Sequence, residues 1–591
     1  MTVKILLSNE TSGNPSAWIR RRAWPLSQVR QEYNLPMRLS LLSGLLPMLA
    51  ALLISSVPAR GAEPAAPEIT LEIRDFATMP MTGKVDGKGQ IMGLLARVNF
   101  MREEPGGKGT RVFVNDLNGP LYILNKQTGN FTTYLNFNGR DGQPGLFHRL
   151  PTESGFGNGF ISFAFDPDYA RNGKFYTVHL EDPAVDASAM PDNASLPGLH
   201  LDRPNPYELT PAIQTPGPTV REAVVIEWTD ANIANTTFEG TARELLRLRM
   251  NTQIHPMGDL MFNPTAHAGD PDWRVLYIAC GDGGSGESKN LEMRSNPQRL
   301  DTLVGKILRI IPDPDYNQDS STIAANGRYR IPNENPFVPK MKAGARGEIW
   351  AYGIRNPARL TWDVDPANPR DNHLIANVIG LNTWETAIII HKGANYGYSL
   401  REGNQKLEAT NKTTDLPEDD RVPVQLNATE TDGMVTPVYP VIQYAHVKGG
   451  GDAMSSGYVY RGNSVPALKG KYIFGDISTG NIWWADYKEM LAADAGNTKK
   501  PAAMHPVKIL WAKPGGVSEV YGSMAPITEQ VYHARGGKAP GLPGFAAVPN
   551  GGRSDIHLWA DSHGELYIIS KSDGMIRSVV GAAVASGAES K

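Results

Sequence analysis

Four short stretches place a turn glycine two or three residues ahead of an aromatic: Gly173-Lys-Phe175, Gly347-Glu-Ile-Trp350, Gly480-Asn-Ile-Trp483 and Gly564-Glu-Leu-Tyr567. Each sits inside a longer pattern of apolar run, turn and returning apolar run. Arg111-Val-Phe-Val-Asn115, turned by Asn118-Gly119-Pro120 and followed by Leu121-Tyr-Ile-Leu124, reads as a hairpin, as does Phe160 to Phe165 with Lys174 to His179. The pattern recurs at Leu260 to Ala279, Gly347 to Trp362, Gly457 to Trp484 and His557 to Ile569. The spacing is irregular, which rules out a strict repeat. Gly 60 and Pro 45 are scattered rather than clustered, which favours many short strands over helices or disorder. About six antiparallel units predict an all-β chain, a six-bladed β-propeller with long loop insertions at 181–219, 312–345 and 402–437. A sandwich rarely needs this many strands. A short helix is expected at 488–495, outside the blades.

Met37-Arg38, an apolar run from Leu39 to Val57 and the small residues to Ala62 have the order of a secretory signal, favoured over an N-terminal membrane anchor because Pro47 interrupts the run and small residues follow it. Residues 1–36 read as an upstream extension, 37–61 as the signal and 62–591 as one propeller domain with its core at about 69–580. A periplasmic or secreted location follows, with no membrane span left after cleavage. Residues 1–61 hold seven basic and two acidic side chains, so removing them leaves 51 against 59, a formal charge of −8. That balance argues against a nucleic-acid partner. Cys280 is the only cysteine, which excludes an internal disulfide and a two-cysteine haem attachment. Any electrons the protein takes up must leave to an external acceptor.

The stretch from His255 to Gly305 carries the chemistry. His255-Pro-Met-Gly-Asp-Leu260 enters one apolar strand, and Val275 to Cys280 leaves a second on the turn Gly281-Asp282-Gly283-Gly284. A base and an orienting carboxylate on neighbouring strand ends either face a ligand or close a β-turn.

With Gly159 to Tyr169, His255 to Leu260, Gly281 to Gly284, Leu300 to Ile310, Tyr352 to Pro357, Lys392 to Gly397, Gly457 to Gly462 and Tyr472 to Asp476 in order, the chain resembles the glucose/sorbosone dehydrogenase family. The resemblance implies a pyrroloquinoline quinone (PQQ) cofactor at the axial mouth of a six-bladed propeller, held partly by calcium, and a sugar or polyol substrate. It implies that His255 is the general base, that Asp282 orients it and that Arg355 stabilises charge on the cofactor, with Asn356 and Arg461 as further cofactor contacts. Calcium would rest on the backbone carbonyls of Gly380 and Leu381. The chain departs from the family at Asn377 to Thr386, which lacks paired acids, at Gly157, where a polar residue is common, and at Asn481, often an arginine. Two functions remain: a quinoprotein oxidoreductase, and a cofactor-free propeller that binds carbohydrate or protein. Calcium-dependent lactone hydrolysis ranks below both, because no cluster of acids stands at suitable spacing.

Overall fold

Among the described residues six units of strands follow one another along the chain: the first four are separate antiparallel four-stranded sheets, and the last two join in one nine-stranded sheet through the parallel pair of Glu68–Thr78 with His505–Ala512. The computed structural model describes residues 66–585 apart from 87–92, 108, 153–156, 195, 202–205, 447–449 and 545–551. The expected upstream extension and signal segment lie outside the described residues. Among the described residues no helix is long and apolar enough to cross a membrane.

The inner strands of blades 1 to 6 are Val98–Glu103, Phe160–Phe165, Met257–Phe262, Asn356–Val364, Met454–Val459 and Ile556–Ala560. Each packs against the next, and the sixth packs against the first, so the ring is closed. Position in the ring shows in the sequence. The inner strand Phe160–Phe165 is buried at every residue and is almost continuously apolar. The outer strand Glu68–Thr78 buries Ile69, Leu71 and Ile73 and turns Thr70, Glu72 and Arg74 outward, the period of two expected of a strand with one covered face.

That outer strand also closes the ring. Glu68–Thr78 comes from the N-terminal end of the domain and pairs antiparallel with Met575–Ala585, completing blade 6 with the last strand of the domain. It runs parallel to His505–Ala512 on the rim of blade 5 as well. One apolar layer fills each blade interface, as where Tyr277 and Ala351 of blade 3 meet Leu360 and Leu374 of blade 4.

At the axis one carboxylate ties four blades together. Asp259 in blade 3 is fully buried. It accepts from Ser162 Oγ of blade 2 at 2.7 Å, Arg102 Nη2 of blade 1 at 3.3 Å, the amide of Leu360 in blade 4 at 3.1 Å and the amide of Leu260 beside it at 2.9 Å.

The expected pairing across Gly347 to Trp362 is not a hairpin. Ile349–Tyr352 pairs with Lys306–Ile310 as the outer strand of blade 3, whereas Asn356–Val364 opens blade 4. The intervening turn carries the chain from the rim to the axis, and two apolar runs separated by a turn look alike in either case. The three expected insertions are long loops whose regular structure is limited to short 3-10 turns, such as Val338–Ala343, and small strands, such as Ser321–Ile323 with Arg330–Pro332 and Val422–Gln425 with Thr431–Val435. The expected helix is present as Tyr487–Ala495, and a second, Ala525–Ala534, was not foreseen.

Candidate functional site

The first residues of all six inner strands gather around one cavity of about 300 Å³. Asn99, Ile161, His255, Asn356, Ala453 and Asp555 mark the six entries. Because the inner strands come from six blades, the cavity assembles groups that are far apart in sequence.

His255 sits just ahead of its strand with φ +54°, a conformation few residues other than glycine adopt. Backbone strain of this kind persists where the surroundings fix it and is common at functional positions. Here the carbonyl of His255 accepts from the amide of Gly283 at 3.1 Å, and Gly281 donates to the carbonyl of Pro256 at 2.9 Å. These bonds lock the two strand ends together and bring the imidazole to the carboxylate. His255 Nδ1 donates to Asp282 Oδ1 at 2.6 Å, which leaves Nε2 as the basic nitrogen at the cavity. Asp282 is fully buried and also accepts from the amides of Gly284 at 2.9 Å and Gly286 at 2.8 Å. Burial alone would raise its pKa, but His255 and Arg355 hold it below the usual carboxylate range. The pair is therefore an ionised carboxylate fixing the tautomer of a base.

Arg355 lies beside this pair. Its Nη2 donates to Glu287 Oε2 at 2.8 Å, and its Nη1 donates to the carbonyls of Ile379 and Gly380. Burial works against its charge, yet Tyr398, Glu287 and Asp282 more than offset this and hold its pKa above the ordinary arginine value. Asn356 lines the cavity next to it, as do Gly157 and Ile477.

Two implied assignments are corrected. Arg461 is not brought to the cavity: it makes a two-pronged ion pair with Asp363 at 2.8 and 2.7 Å. Asp363 stands at the far end of the inner strand that begins with Asn356. The reason is geometric: Arg461 follows the end of Met454–Val459 that lies away from the cavity, as Asp363 does on its own strand. Of the two carbonyls implied for calcium, that of Gly380 is not available to a cation. The Gly380 carbonyl already accepts from a guanidinium, whose charge opposes a cation there. The amides of Leu381, Asn382, Thr383 and Trp384 all converge on Glu402 Oε1 at 2.8 to 3.1 Å. Calcium takes six to eight oxygens, and among the described residues no group of three or more His, Cys, Asp or Glu is placed to hold a metal.

Gly380 is constrained within that loop, because a Cβ there would stand 1.7 Å from the Trp384 carbonyl oxygen. Backbone cannot swing aside as a side chain can. Gly380→Ala is expected to lower stability by about 1–3 kcal/mol, the usual range for overpacking, and to displace the partner of Arg355. Urea unfolding followed by tryptophan fluorescence measures the first effect.

The rest of the lining was missed in sequence. Arg359, Arg553, Asp555, His557 and Lys571 all line the cavity. Arg553, Asp555 and His557 recur at a spacing of two as the chain enters the strand Ile556–Ala560, a pattern that places alternate residues on one face. That spacing was the available signal.

Residues 245–500 match the Glucose / Sorbosone dehydrogenase family. The HIPL1 protein of Arabidopsis thaliana is 27% identical over 339 residues, covering 55% of this chain and 43% of HIPL1. The aldose sugar dehydrogenase YliI of Escherichia coli (strain K12) is 31% identical over 165 residues, 28% of this chain and 34% of YliI. The chain thus spans less than half the length of these curated relatives. Among solved structures, the PQQ-bound aldose sugar dehydrogenase of Streptomyces coelicolor aligns over 89% of this chain and 100% of its own, at 15% identity and a TM-score of 0.44.

Proposed function

We propose, on the premise that residues 245–500 carry a Glucose / Sorbosone dehydrogenase domain, that the axial cavity is the active site of an exported oxidoreductase acting on a hydroxyl of a sugar or polyol, with PQQ as its cofactor. The observation that carries this reading is the His255–Asp282 pair at 2.6 Å on the wall of a cationic cavity.

The residues present suit such a quinone, which is flat and bears carboxylates. Arg355, Arg359, Arg553 and Lys571 line the cavity against only Asp452 and Asp555. The excess of positive charge among these lining residues suits an anionic guest. When bound, the quinone supplies the two-electron acceptor for hydride. His255 Nε2 takes the proton of the substrate hydroxyl, and Asp282 holds the Nδ1 proton and stabilises the imidazolium that results. Arg355, charged at any working pH, stabilises negative charge on an oxygen within its reach. No step is assigned to calcium.

Titration of the protein with PQQ, followed by calorimetry and by dye-linked oxidation of an aldose, tests the proposal. Saturable binding with the appearance of activity is the expected result, and no binding at any concentration would sink it. The competing reading, a cofactor-free propeller that binds carbohydrate or protein, draws support from the loop at 380–384, where the chain itself already satisfies the Gly380 carbonyl and four amides. Sugar binding that is indifferent to the quinone would favour it. Export rests on the basic, apolar and small residues of 37–61. N-terminal sequencing of extracytoplasmic protein is expected to begin near Gly61 or Ala62, and a start within 1–36 would overturn it.

A further inference from the structure

Blades 3 and 6 stand three apart in a ring of six, on opposite sides of the axis, and each places a charged pair where its first two strands meet at the cavity. In blade 3, His255 stands two residues ahead of the inner strand and Asp282 two residues after the second strand. In blade 6, Asp555 stands one residue ahead of Ile556–Ala560, and Lys571 one residue after Leu566–Ser570. The backbone repeats as well. Asp555 has φ +50° where His255 has φ +54°, and the Lys571 amide donates to the Asp555 carbonyl just as Gly283 donates to that of His255.

The side-chain chemistry differs. Lys571 Nζ lies 3.0 Å from His557 Nε2 and 3.2 Å from Asp555 Oδ1. Lys571 is 6% exposed, and both it and His557 line the cavity. We propose that Lys571 is a second reactive group of this cavity, a nucleophile that captures an aldehyde, such as the open-chain form of an aldose, as an imine.

The neutral amine forms the N–C bond as the carbonyl π electrons move onto oxygen. Passage of a proton from nitrogen to oxygen gives a carbinolamine, and loss of water leaves the imine; hydrolysis reverses the sequence. No oxidant or reductant is consumed. His557 Nε2 is within reach to carry the proton between the two atoms. Burial, followed by the charges of Lys571, Arg359 and Arg553, pushes His557 well below the usual histidine range and keeps it neutral. The charged and titratable groups facing Lys571 are Asp555, Arg359, Arg97, Arg553 and His557. Burial is the main cause that brings the amine down to about 8, reinforced by the arginines and opposed by Asp555. The reactive, neutral form therefore grows as pH rises through about 8, whereas an ordinary lysine needs pH above 10. A lowered amine pKa activates lysines for this chemistry.

Imine formation at Lys571 requires no quinone, so it is measured independently of the quinone titration. The full chain, without added cofactor, is incubated with glycolaldehyde and sodium cyanoborohydride, which reduces an imine to a stable secondary amine. Adducts are mapped by mass spectrometry across pH 6 to 10. Lys508, whose side chain is 49% exposed, serves as the internal reference. At pH 7.5 Lys571 is expected to be labelled on the order of tenfold faster than Lys508, because its larger neutral fraction outweighs its lower intrinsic nucleophilicity, with a midpoint near pH 8. Labelling no faster than Lys508, or seen only after urea unfolding, would overturn the proposal. His557→Gln is expected to slow labelling severalfold without moving the pH midpoint of Lys508, and an unchanged Lys571 rate would remove His557 as the proton carrier. The central comparison needs only the unsubstituted protein and so survives a variant that does not fold.

Discussion

His255→Gln is expected to lower kcat for dye-linked sugar oxidation by about 10²–10⁴-fold, the usual contribution of a positioned general base, while leaving quinone affinity within a few-fold. Glutamine is uncharged and can still donate to Asp282, but its amide cannot accept a proton. The loss should therefore fall on kcat and leave KM for the sugar little changed. Asp282→Asn tests the same pair from behind. An amide at that position no longer dictates which imidazole nitrogen carries the proton, so its kcat should fall and its pH profile should shift as well. Steady-state kinetics of both variants loaded with PQQ, with melting curves as a control for folding, checks the pair. Unimpaired turnover in His255→Gln would leave the cavity without its base.

Asp259→Ala is expected to destabilise the fold by about 3–5 kcal/mol, the range for deleting one member of a buried ion pair. The carboxylate has partners in four consecutive blades. Its removal strands the Ser162 hydroxyl, the Leu360 amide and part of the Arg102 guanidinium. Each buried donor left unpaired adds its own desolvation penalty. Asp259→Asn keeps an oxygen acceptor and should lose less than the alanine variant. Equilibrium urea unfolding separates the two, and near-identity of the alanine variant with the unsubstituted protein would show that the blades hold together without this contact.

Most of the blades were legible because strand alternation and turn residues are local signals, and Ile69, Leu71 and Ile73 or the run Phe160–Phe165 betray their position in the ring. His255 and Asp282 were legible for a related reason: 27 residues separate them, and one antiparallel pairing brings their strand ends together. Lys571 and His557 were not, because nothing local joins them to His255. Only closure of the ring places them on the same cavity. The misassignment of Arg461 has the same root. It meets Asp363, seven residues beyond Asn356 on one inner strand, and at about 3.3 Å per residue that is roughly 23 Å from the cavity end. A basic residue at a strand end reads the same at either end. The family resemblance supplied what local pattern could not for Arg355 and Asn356, and misled at Gly380, whose carbonyl already accepts from Arg355.

The strand Glu68–Thr78 has a consequence for the order of events during synthesis. Its contact Asp75 with Arg577 spans 502 residues. At about 5–20 residues per second, the ribosome releases this strand roughly 25–100 s before its antiparallel partner exists. Through that interval Ile69, Leu71 and Ile73 belong to an unpaired, half-apolar edge of the kind that recruits other chains. The nascent protein thus carries its closing segment open from the outset, and any factor that shields it need recognise only this stretch of eleven residues.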